Sequence, residues 1–257
     1  MTFFKTIAVA FSMYSKLPMP RVEWTRENMR YAMCAFPFIG IVTGLLVFLW
    51  DYIARLLSFG PVLTGAGITL LPVLVCGGIH LDGFCDTADA LSSHAPREKK
   101  LEILKDSHSG AFAILAAVCY FLLFFALSTE LERTVPALFC LSLSFLLSRT
   151  LSGLSVASFP CAKNSGLVYA FADASAKKQV RIFLLVLAAV LCAALLCVNW
   201  FSALFMIAAA GLTFLYYFIM SKRSFGGITG DLAGFFLVLC ELFMLAGLVL
   251  SQKLCLF

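Results

Sequence analysis

The sequence predicts an all-α membrane protein, a polytopic helical bundle of about seven spanning helices preceded by an N-terminal interfacial or re-entrant helix. Three observations predict this fold class. The 257 residues are 62% hydrophobic and only 13% charged, whereas soluble domains are about half apolar and about one quarter charged. Long apolar runs recur along the whole chain. Basic residues are concentrated in alternate segments between these runs, which lie on the same side of a membrane if each run crosses it. We expect residues 1–257 to form a single membrane-embedded domain.

Seven runs are apolar enough to cross the hydrocarbon, which takes about 20 residues of helix. They lie at residues 31–50, 60–79, 111–128, 135–157, 182–198, 201–220 and 232–250. The second run is rich in Gly and Pro, so we expect it to be kinked or broken. The N-terminal stretch is short, contains Pro18 and Pro20, and lacks a small-residue cleavage site. It therefore predicts an interfacial or re-entrant helix rather than a removed signal peptide.

The polar segments between the runs differ strongly in charge. Four of them, at 1–30, 80–110, 158–181 and 221–231, hold 15 of the 19 Lys and Arg residues and six of the seven aspartates. Basic loops are retained on the cytoplasmic side of membranes, so we expect all four there. This explains the net charge of +5 without a nucleic-acid partner. The ten cysteines show no CxxC pair and no Cys/His spacing, which argues against a disulfide framework or a zinc site.

The segment GGIHLDGFCDTADAL, at residues 77–91, carries the strongest chemical signal. Asp82, Asp86 and Asp89 are spaced i, i+4 and i+7, so they share one face of a helix. Carboxylates on one face repel each other, and a divalent cation resolves the conflict, because Mg²⁺ binds carboxylate oxygens and bridges to substrate phosphates. Small and apolar residues between the aspartates indicate a helix packed at the membrane surface. His80 precedes this face and is a candidate general base or supporting residue.

Two further polar features accompany this face. FGGITGDLAGF, at 225–235, places paired glycines before the last span, where backbone N–H groups and a helix N-terminus favour an anion. We expect Asp231 in this segment to be the N-cap of that helix, a carboxylate of the site, or both. Arg149 lies inside the fourth run, so we expect it to face the bundle interior and either hold a phosphate or pair with an aspartate. Glu241 raises the same question.

Three segments together resemble a known family. GGIHLDGFCDTADAL at 77–91, ILKDSHSGAFA at 103–113 and GGITGDLAGF at 226–235 closely resemble, in the same order, the signature segments of the cobalamin synthases, the adenosylcobinamide-GDP ribazoletransferases. FPFIGIVTG at 36–44 and KLPMP at 16–20 are also similar, so the resemblance covers most of the chain. One departure is His108, which stands where the family commonly carries arginine. Lys105 is then the nearby cation left to contact phosphate.

The resemblance implies a late step of vitamin B12 assembly. Such an enzyme joins adenosylcobinamide-GDP to α-ribazole or its 5′-phosphate, releases GMP, and forms adenosylcobalamin or its 5′-phosphate with Mg²⁺ as cofactor. It implies a multi-pass protein of the bacterial cytoplasmic (inner) membrane whose active-site loops face the cytoplasm. Its partners would be these two small-molecule substrates and the lipid bilayer. A homo-oligomer or an association with other enzymes of the pathway stays open.

The resemblance, taken with the residue patterns, assigns a role to each candidate residue. The expected metal ligands are Asp82, Asp86, Asp89 and Asp231. The expected catalytic residues are Asp82, Asp86, Asp106 and His80, with Asp106 completing a metal site or accepting the hydroxyl proton. The expected substrate-binding residues are Lys105, Arg149, Gly226, Gly227, Thr229 and Gly230.

Two other functions fit parts of the pattern. A CDP-alcohol phosphotransferase also pairs Asp-Gly with later aspartates, but Phe84 and Cys85 stand where Ala-Arg would follow the first Asp-Gly. A cation transporter would place its acids at mid-membrane depth, whereas six of the seven aspartates lie in the basic segments. Release of GMP rather than CMP separates the two enzymes, and metal flux without nucleotide turnover would indicate the transporter.

Overall fold

A computed structural model describes residues 2–106 and 108–255, and within them the regular structure is helical. The N-terminal part contains α1 (Thr2–Tyr14), α2 (Arg26–Met29), α3 (Ala32–Ala35), α4 (Phe38–Leu56), α5 (Pro61–Cys76), α6 (Ile79–Ser92) and α7 (Arg97–Ile103). The remainder contains α8 (Ala111–Glu130), α9 (Val135–Ser158), α10 (Leu167–Ala174), α11 (Lys177–Val198), α12 (Trp200–Met220), a π-helical turn (Ser221–Phe225) and α13 (Gly230–Leu254).

The number of spanning helices agrees with the prediction. Six continuous helical stretches are long and apolar enough to cross a membrane: α3 with α4, α8, α9, α11, α12 with the π-turn, and α13. The pair α5 and α6 passes the same criterion together and is bent by 94°, which gives a seventh span if the pair is counted as one. The all-α polytopic bundle is thereby confirmed. The 13-residue α1 is apolar and too short to cross the bilayer, as expected of an interfacial or re-entrant helix.

The break predicted in the second apolar run lies at its end. Pro72 is inside α5 and the helix continues past it, whereas the chain turns at Gly77 and Gly78, which have φ of 62° and 80°. Such left-handed conformations favour glycine because a Cβ would be strained there. The side chain of Lys16 also packs on Gly77, where an added Cβ would lie 2.4 Å from Lys16 Cε. The paired glycines therefore set the right-angled entry into α6.

The two most buried spans are α13 and α9, with 83% and 72% of their apolar windows buried, against 22% for each of α8 and α11. The bundle therefore has α9 and α13 at its centre and α8 and α11 near its lipid-facing surface. Since α6 packs extensively on α13 and α8, the aspartate-bearing helix is fixed against the centre of the bundle.

The four basic segments meet at one end of the bundle. Ala176 N–H donates to the carbonyl of Arg30 at 3.1 Å, and the Lys163 ammonium donates to the carbonyl of Leu101 at 2.9 Å. A parallel bridge joins Cys161 to Ile228. These contacts connect segments 1–30, 80–110, 158–181 and 221–231 to one another, as the charge distribution predicts for loops on one side.

The opposite end has its own polar contacts. Asp51 is buried and accepts from Arg55 at 2.6 Å and from Arg133 at 2.7 Å. Glu130 pairs with Lys253 at 3.1 Å. The aspartate that falls outside the basic segments therefore serves a local ion-pair network, which separates it from the six at the other end.

Candidate active site

Helix α6 carries the three aspartates on one face, as their spacing predicts. Asp82 is exposed, and Asp86 and Asp89 are half-buried. The opposite face packs into the protein through Phe84, which stacks on Phe235 of α13 with ring centroids 5.5 Å apart, and through the fully buried Thr87. The helix is therefore anchored by its apolar face and presents carboxylates on the other.

Two glycines bring α6 and α13 into backbone contact. A Cβ on Gly83 would lie 2.7 Å from Cα of Asp231, and a Cβ on Gly234 would lie 2.8 Å from the carbonyl oxygen of His80. No side chain fits at either crossing point. The two polar segments that the sequence singles out, 77–91 and 226–235, are thus adjacent in space because glycine occupies both points of contact.

The close contact can be tested by adding a single methyl group. Gly83→Ala places its Cβ against the Asp231 backbone, so we expect a loss of about 1–3 kcal/mol in stability and a large fall in activity as the segments separate. Thermal unfolding in detergent and turnover measure the two effects. Gly211→Ala on α12 is the control, since a Cβ there meets nothing within 4 Å. Equal behaviour of the two variants would contradict the proposed contact.

The first turn of α13 corrects one interpretation of Asp231. Thr229 is the N-cap, and its hydroxyl accepts from the N–H of Leu232 at 3.3 Å. Asp231 lies in the first turn, and the Thr229 hydroxyl donates to its carboxylate at 3.3 Å. Asp231 is therefore not the N-cap, because the preceding threonine occupies that position. Its carboxylate lies within electrostatic range of Asp82 and Asp86 on α6.

Four carboxylates form one cluster. The Asp86 carboxylate lies within electrostatic range of those of Asp82, Asp89 and Asp231. We call these four residues the aspartate cluster. Among the described residues neither Asp82 nor Asp86 has an ion-pair partner within 4 Å, so their negative charge is not neutralised by the protein.

Asp89 differs from its neighbours because both of its oxygens are already hydrogen-bonded. One accepts from the N–H of Gly110 at 2.8 Å and the other from the N–H of Ala113 at 3.3 Å. These donors belong to the N-terminus of α8, whose partial positive charge stabilises a carboxylate. A Cβ on Gly110 would lie 2.1 Å from the Asp89 carboxylate. Asp89 thus joins α6 to the N-terminus of α8.

The aspartate cluster suits an open Mg²⁺ site, completed by water and substrate, better than a site whose ligands all come from the protein. No three His, Cys, Asp or Glu side chains of residues 2–106 and 108–255 converge tightly enough to hold a metal ion by themselves. Mg²⁺ commonly takes one or two carboxylates and completes its shell with water and substrate phosphates. The unpaired carboxylates of Asp82 and Asp86 match that requirement, with Asp231 beside them.

Asp106 lies in the exposed loop after α7. Its carboxylate accepts from the backbone N–H of His108 at 3.0 Å and contacts the His108 ring nitrogen Nδ1 at 2.8 Å. These contacts, the backbone hydrogen bond first, lower the pKa of Asp106 below its ordinary value. A carboxylate with a lowered pKa is a weaker proton acceptor, which argues against the general-base alternative for Asp106.

His80 lies on a different face of α6 from Asp82. Residues two apart are separated by about 200° around a helix, and His80 is buried between the rings of Tyr14 and Phe36. Neither ring nitrogen has a hydrogen-bond partner among the described residues. His80 therefore faces a small internal cavity that it lines with Arg149 and Glu241, rather than the open side of the aspartate cluster.

Arg149 pairs with Glu241 instead of an aspartate. Its guanidinium donates to the Glu241 carboxylate at 2.6 Å and to the carbonyl of Phe145 at 2.8 Å. Ser148 donates to the same carboxylate at 2.9 Å. Both charged side chains are nearly inaccessible, at 1% and 3% exposure. Of the two alternatives for Arg149, this geometry favours the structural tie, with a different acidic partner from the one expected.

Gly226 and Gly227, the paired glycines before α13, allow close packing against Arg97 and the backbone of Pro160. Gly226 has φ of 76° and receives the guanidinium of Arg97, while a Cβ on Gly227 would lie 2.5 Å from the carbonyl oxygen of Pro160. The N–H of Gly227 donates to Ser221 O at 3.1 Å. That amide is consequently engaged within the protein. The start of α13 carries the remaining backbone positive charge of this segment, and Thr229 and Asp231 engage it in part.

Two residues outside the sequence motifs, Lys163 and Tyr169, lie beside Asp231 at the edge of the candidate active site. Lys163 and Tyr169, together with the predicted Lys105, line a cavity of about 260 Å³ beside Thr229 and Asp231. Burial and the adjacent Lys105 charge lower the pKa of Lys163. The sequence signal was its place in a basic segment, but no motif surrounds it.

The chain matches known proteins along nearly its whole length. The family model described as cobalamin-5-phosphate synthase matches residues 6–249. An adenosylcobinamide-GDP ribazoletransferase of Lachnoclostridium phytofermentans is 43% identical over 252 residues, which cover 98% of this chain and 96% of the relative. A relative with the same name in Clostridium perfringens is 34% identical over 93% of this chain and 95% of its own length. Another in Fusobacterium nucleatum is 30% identical over 93% of this chain and 94% of its own length. No solved structure matches the chain. The chain belongs to the cobalamin-5-phosphate synthase family.

Proposed function

We propose that this protein joins adenosylcobinamide-GDP to α-ribazole or α-ribazole 5′-phosphate and releases GMP. The product is adenosylcobalamin or its 5′-phosphate. The observation that carries the proposal is the proximity of Asp82, Asp86 and Asp231 where α6 crosses α13, in a chain whose relatives are named for this transfer. An unneutralised carboxylate cluster is what a metal-bridged diphosphate substrate requires.

Asp82 and Asp86 would hold Mg²⁺ against the diphosphate, and Asp231 and Asp89 lie beside them as further candidate ligands. When bound, the ion neutralises charge on the diphosphate oxygens and orients the phosphorus under attack. Asp89 also fixes the rotation of α6 through its bonds to the α8 N-terminus. Because Gly83 and Gly234 set the distance between α6 and α13, the carboxylates are positioned before substrate arrives.

The other predicted residues divide between substrate contact and support. Lys105 lines the cavity next to Asp231 and supplies positive charge to a phosphate. Asp106 lies on the exposed loop, where its carboxylate is held by His108 and no described contact joins it to the aspartate cluster. Arg149 and His80 line a small cavity inside the bundle, where Arg149 pairs with Glu241. Thr229 and Gly230 form the first turn of α13, whose positive dipole end favours phosphate.

We further propose that the four basic segments face the cytoplasm from the inner membrane. The 15 basic residues at one end of the bundle support this orientation under the positive-inside rule. Nucleotide substrates and Mg²⁺ are then available on the side where the aspartate cluster lies.

The direct test uses membranes or proteoliposomes that contain the protein. They are incubated with adenosylcobinamide-GDP, α-ribazole and Mg²⁺, and both GMP and the cobalamin product are quantified. We expect equimolar GMP and product that depend on Mg²⁺ and are lost with EDTA. Release of GMP without a corrinoid product, or no turnover by folded protein, would overturn the proposed function.

A further inference from the structure

A cavity of about 260 Å³ lies next to the aspartate cluster and is built by three segments that are distant in sequence. One wall comes from the loop after α7, with Lys105. The second comes from the segment between α9 and α10, with Lys163, and from the start of α10, with Tyr169. The third is the first turn of α13, with Thr229 and Asp231. We call this the lysine cavity.

The two lysines give the cavity a net positive charge, which the Asp231 carboxylate in its lining balances only in part. The Lys163 ammonium is held by donating to the carbonyl of Leu101 at 2.9 Å, and Lys105 lies close enough to act on its charge. Among the described residues neither lysine has a carboxylate within 4 Å. Two ammonium groups side by side repel each other, and a bound anion removes that repulsion.

The start of α13 adds to the same field. Helices carry a partial positive charge at the N-terminus, where the first N–H groups lack intrahelical partners. Gly230 and Thr229 at this end of a 25-residue helix line the lysine cavity. Because the lysines face the helix end across one cavity, the site suits a phosphate group better than a neutral ligand.

The remaining lining limits the size and nature of the ligand. Leu104, Leu167 and Val168 contribute apolar surface, and Tyr169 contributes an aromatic ring. Pockets for drug-sized molecules run from about 300 to 1,000 Å³, so this cavity admits a phosphate with an attached sugar and excludes a corrinoid. Its contact with Asp231 places that phosphate beside the aspartate cluster.

We propose that the lysine cavity binds the phosphate of the departing nucleoside 5′-monophosphate, with Lys163 and Lys105 as its cationic contacts. The inference rests on the proposed function. In that reaction the acceptor hydroxyl oxygen forms a new bond to phosphorus and its proton passes to a base or to water. The bond from that phosphorus to the monophosphate oxygen breaks, and its electron pair stays on the leaving oxygen. The lysines lie where that negative charge grows.

The binding test needs no turnover. Purified protein in detergent is titrated with GMP by isothermal calorimetry, with Mg²⁺ present. We expect Lys163→Gln and Lys105→Gln each to weaken GMP binding by roughly tenfold, as expected for loss of a charge-assisted contact, and Lys163→Arg to retain most of it. Lys178→Gln is the matched control, since Lys178 is an exposed lysine of α11 at the same end of the bundle.

The outcomes separate the sources of the phosphate. Unchanged GMP affinity in both glutamine variants overturns the proposal. If GMP affinity is unchanged while KM rises for α-ribazole 5′-phosphate but not for α-ribazole, the cavity takes the acceptor phosphate and the proposed assignment is wrong. If wild-type protein binds GMP through these lysines but does not convert adenosylcobinamide-GDP, the proposed function fails and the nucleotide site stands. If Lys163→Gln unfolds, the GMP affinity of Lys105→Gln still tests the proposal, because Lys105 is an exposed loop residue whose substitution should not unfold the protein.

Discussion

Asp82→Asn is expected to lower turnover by roughly 10³-fold, because loss of a metal-holding carboxylate removes several kcal/mol of transition-state stabilisation. Asp82 is exposed and has no ion-pair partner among the described residues, so the fold does not depend on its charge. The variant should therefore reach the membrane and unfold at the wild-type temperature. GMP release at saturating substrate measures the effect, and residual activity should require a higher Mg²⁺ concentration.

The matched control is Asp173→Asn. Asp173 is an aspartate at the same end of the bundle, but it is half-exposed and pairs with Arg26 at 2.7 Å, away from the aspartate cluster. The same chemical change there should leave turnover within about twofold, since exposed ion pairs contribute little. Near-normal activity of Asp82→Asn would show that this carboxylate holds no catalytic metal.

Breaking the buried pair between Arg149 and Glu241 is the second large effect. Arg149→Leu leaves the Glu241 charge without its partner in the apolar interior, so we expect a loss of about 3–5 kcal/mol in stability. Glu241→Leu should be similarly harmful. The variant that carries both changes should recover most of the loss, because no uncompensated charge remains. Thermal unfolding in detergent of the two single variants and the double variant gives the coupling directly.

The same variants decide between the two roles considered for Arg149. If the pair is a structural tie, the double variant regains activity together with stability. A double variant that is stable but has a greatly raised KM for adenosylcobinamide-GDP would show that the guanidinium contacts substrate. Ser142→Ala is a control on the same helix, since its hydroxyl makes only a 3.3 Å contact to the carbonyl of Gly44.

Local sequence patterns were enough to predict the spanning helices and the aspartate-bearing face of α6. Apolar run length gave the spans, and the i, i+4, i+7 spacing gave the exposed carboxylate face of α6, because both depend on residues near one another in sequence. The charge distribution also predicted that the basic segments share one end of the bundle. The Gly- and Pro-rich second run predicted a kink or break but not its position, which is the 94° bend at the paired glycines after α5.

Features that depend on distant contacts were not predictable. Arg149 and Glu241 are 92 residues apart, and only the packing of α9 on α13 brings them together. Lys163 enters the site because the bridge between Cys161 and Ile228 fixes its loop. The N-cap was assigned to Asp231 as one of two alternatives, but Thr229 is equally suited to that position and lies two residues earlier. A single sequence does not rank such choices.

The short length of α5 has a consequence for the surrounding lipid. Its 16 residues extend about 24 Å, less than the roughly 30 Å of hydrocarbon in a typical bilayer. α5 alone therefore does not complete a crossing, and the aspartate-bearing helix begins where it ends. A hydrophobic segment shorter than the hydrocarbon is accommodated by thinning of the bilayer, by snorkelling of flanking residues or by oligomerisation. We therefore expect turnover in proteoliposomes to depend on the acyl-chain length of the host lipid.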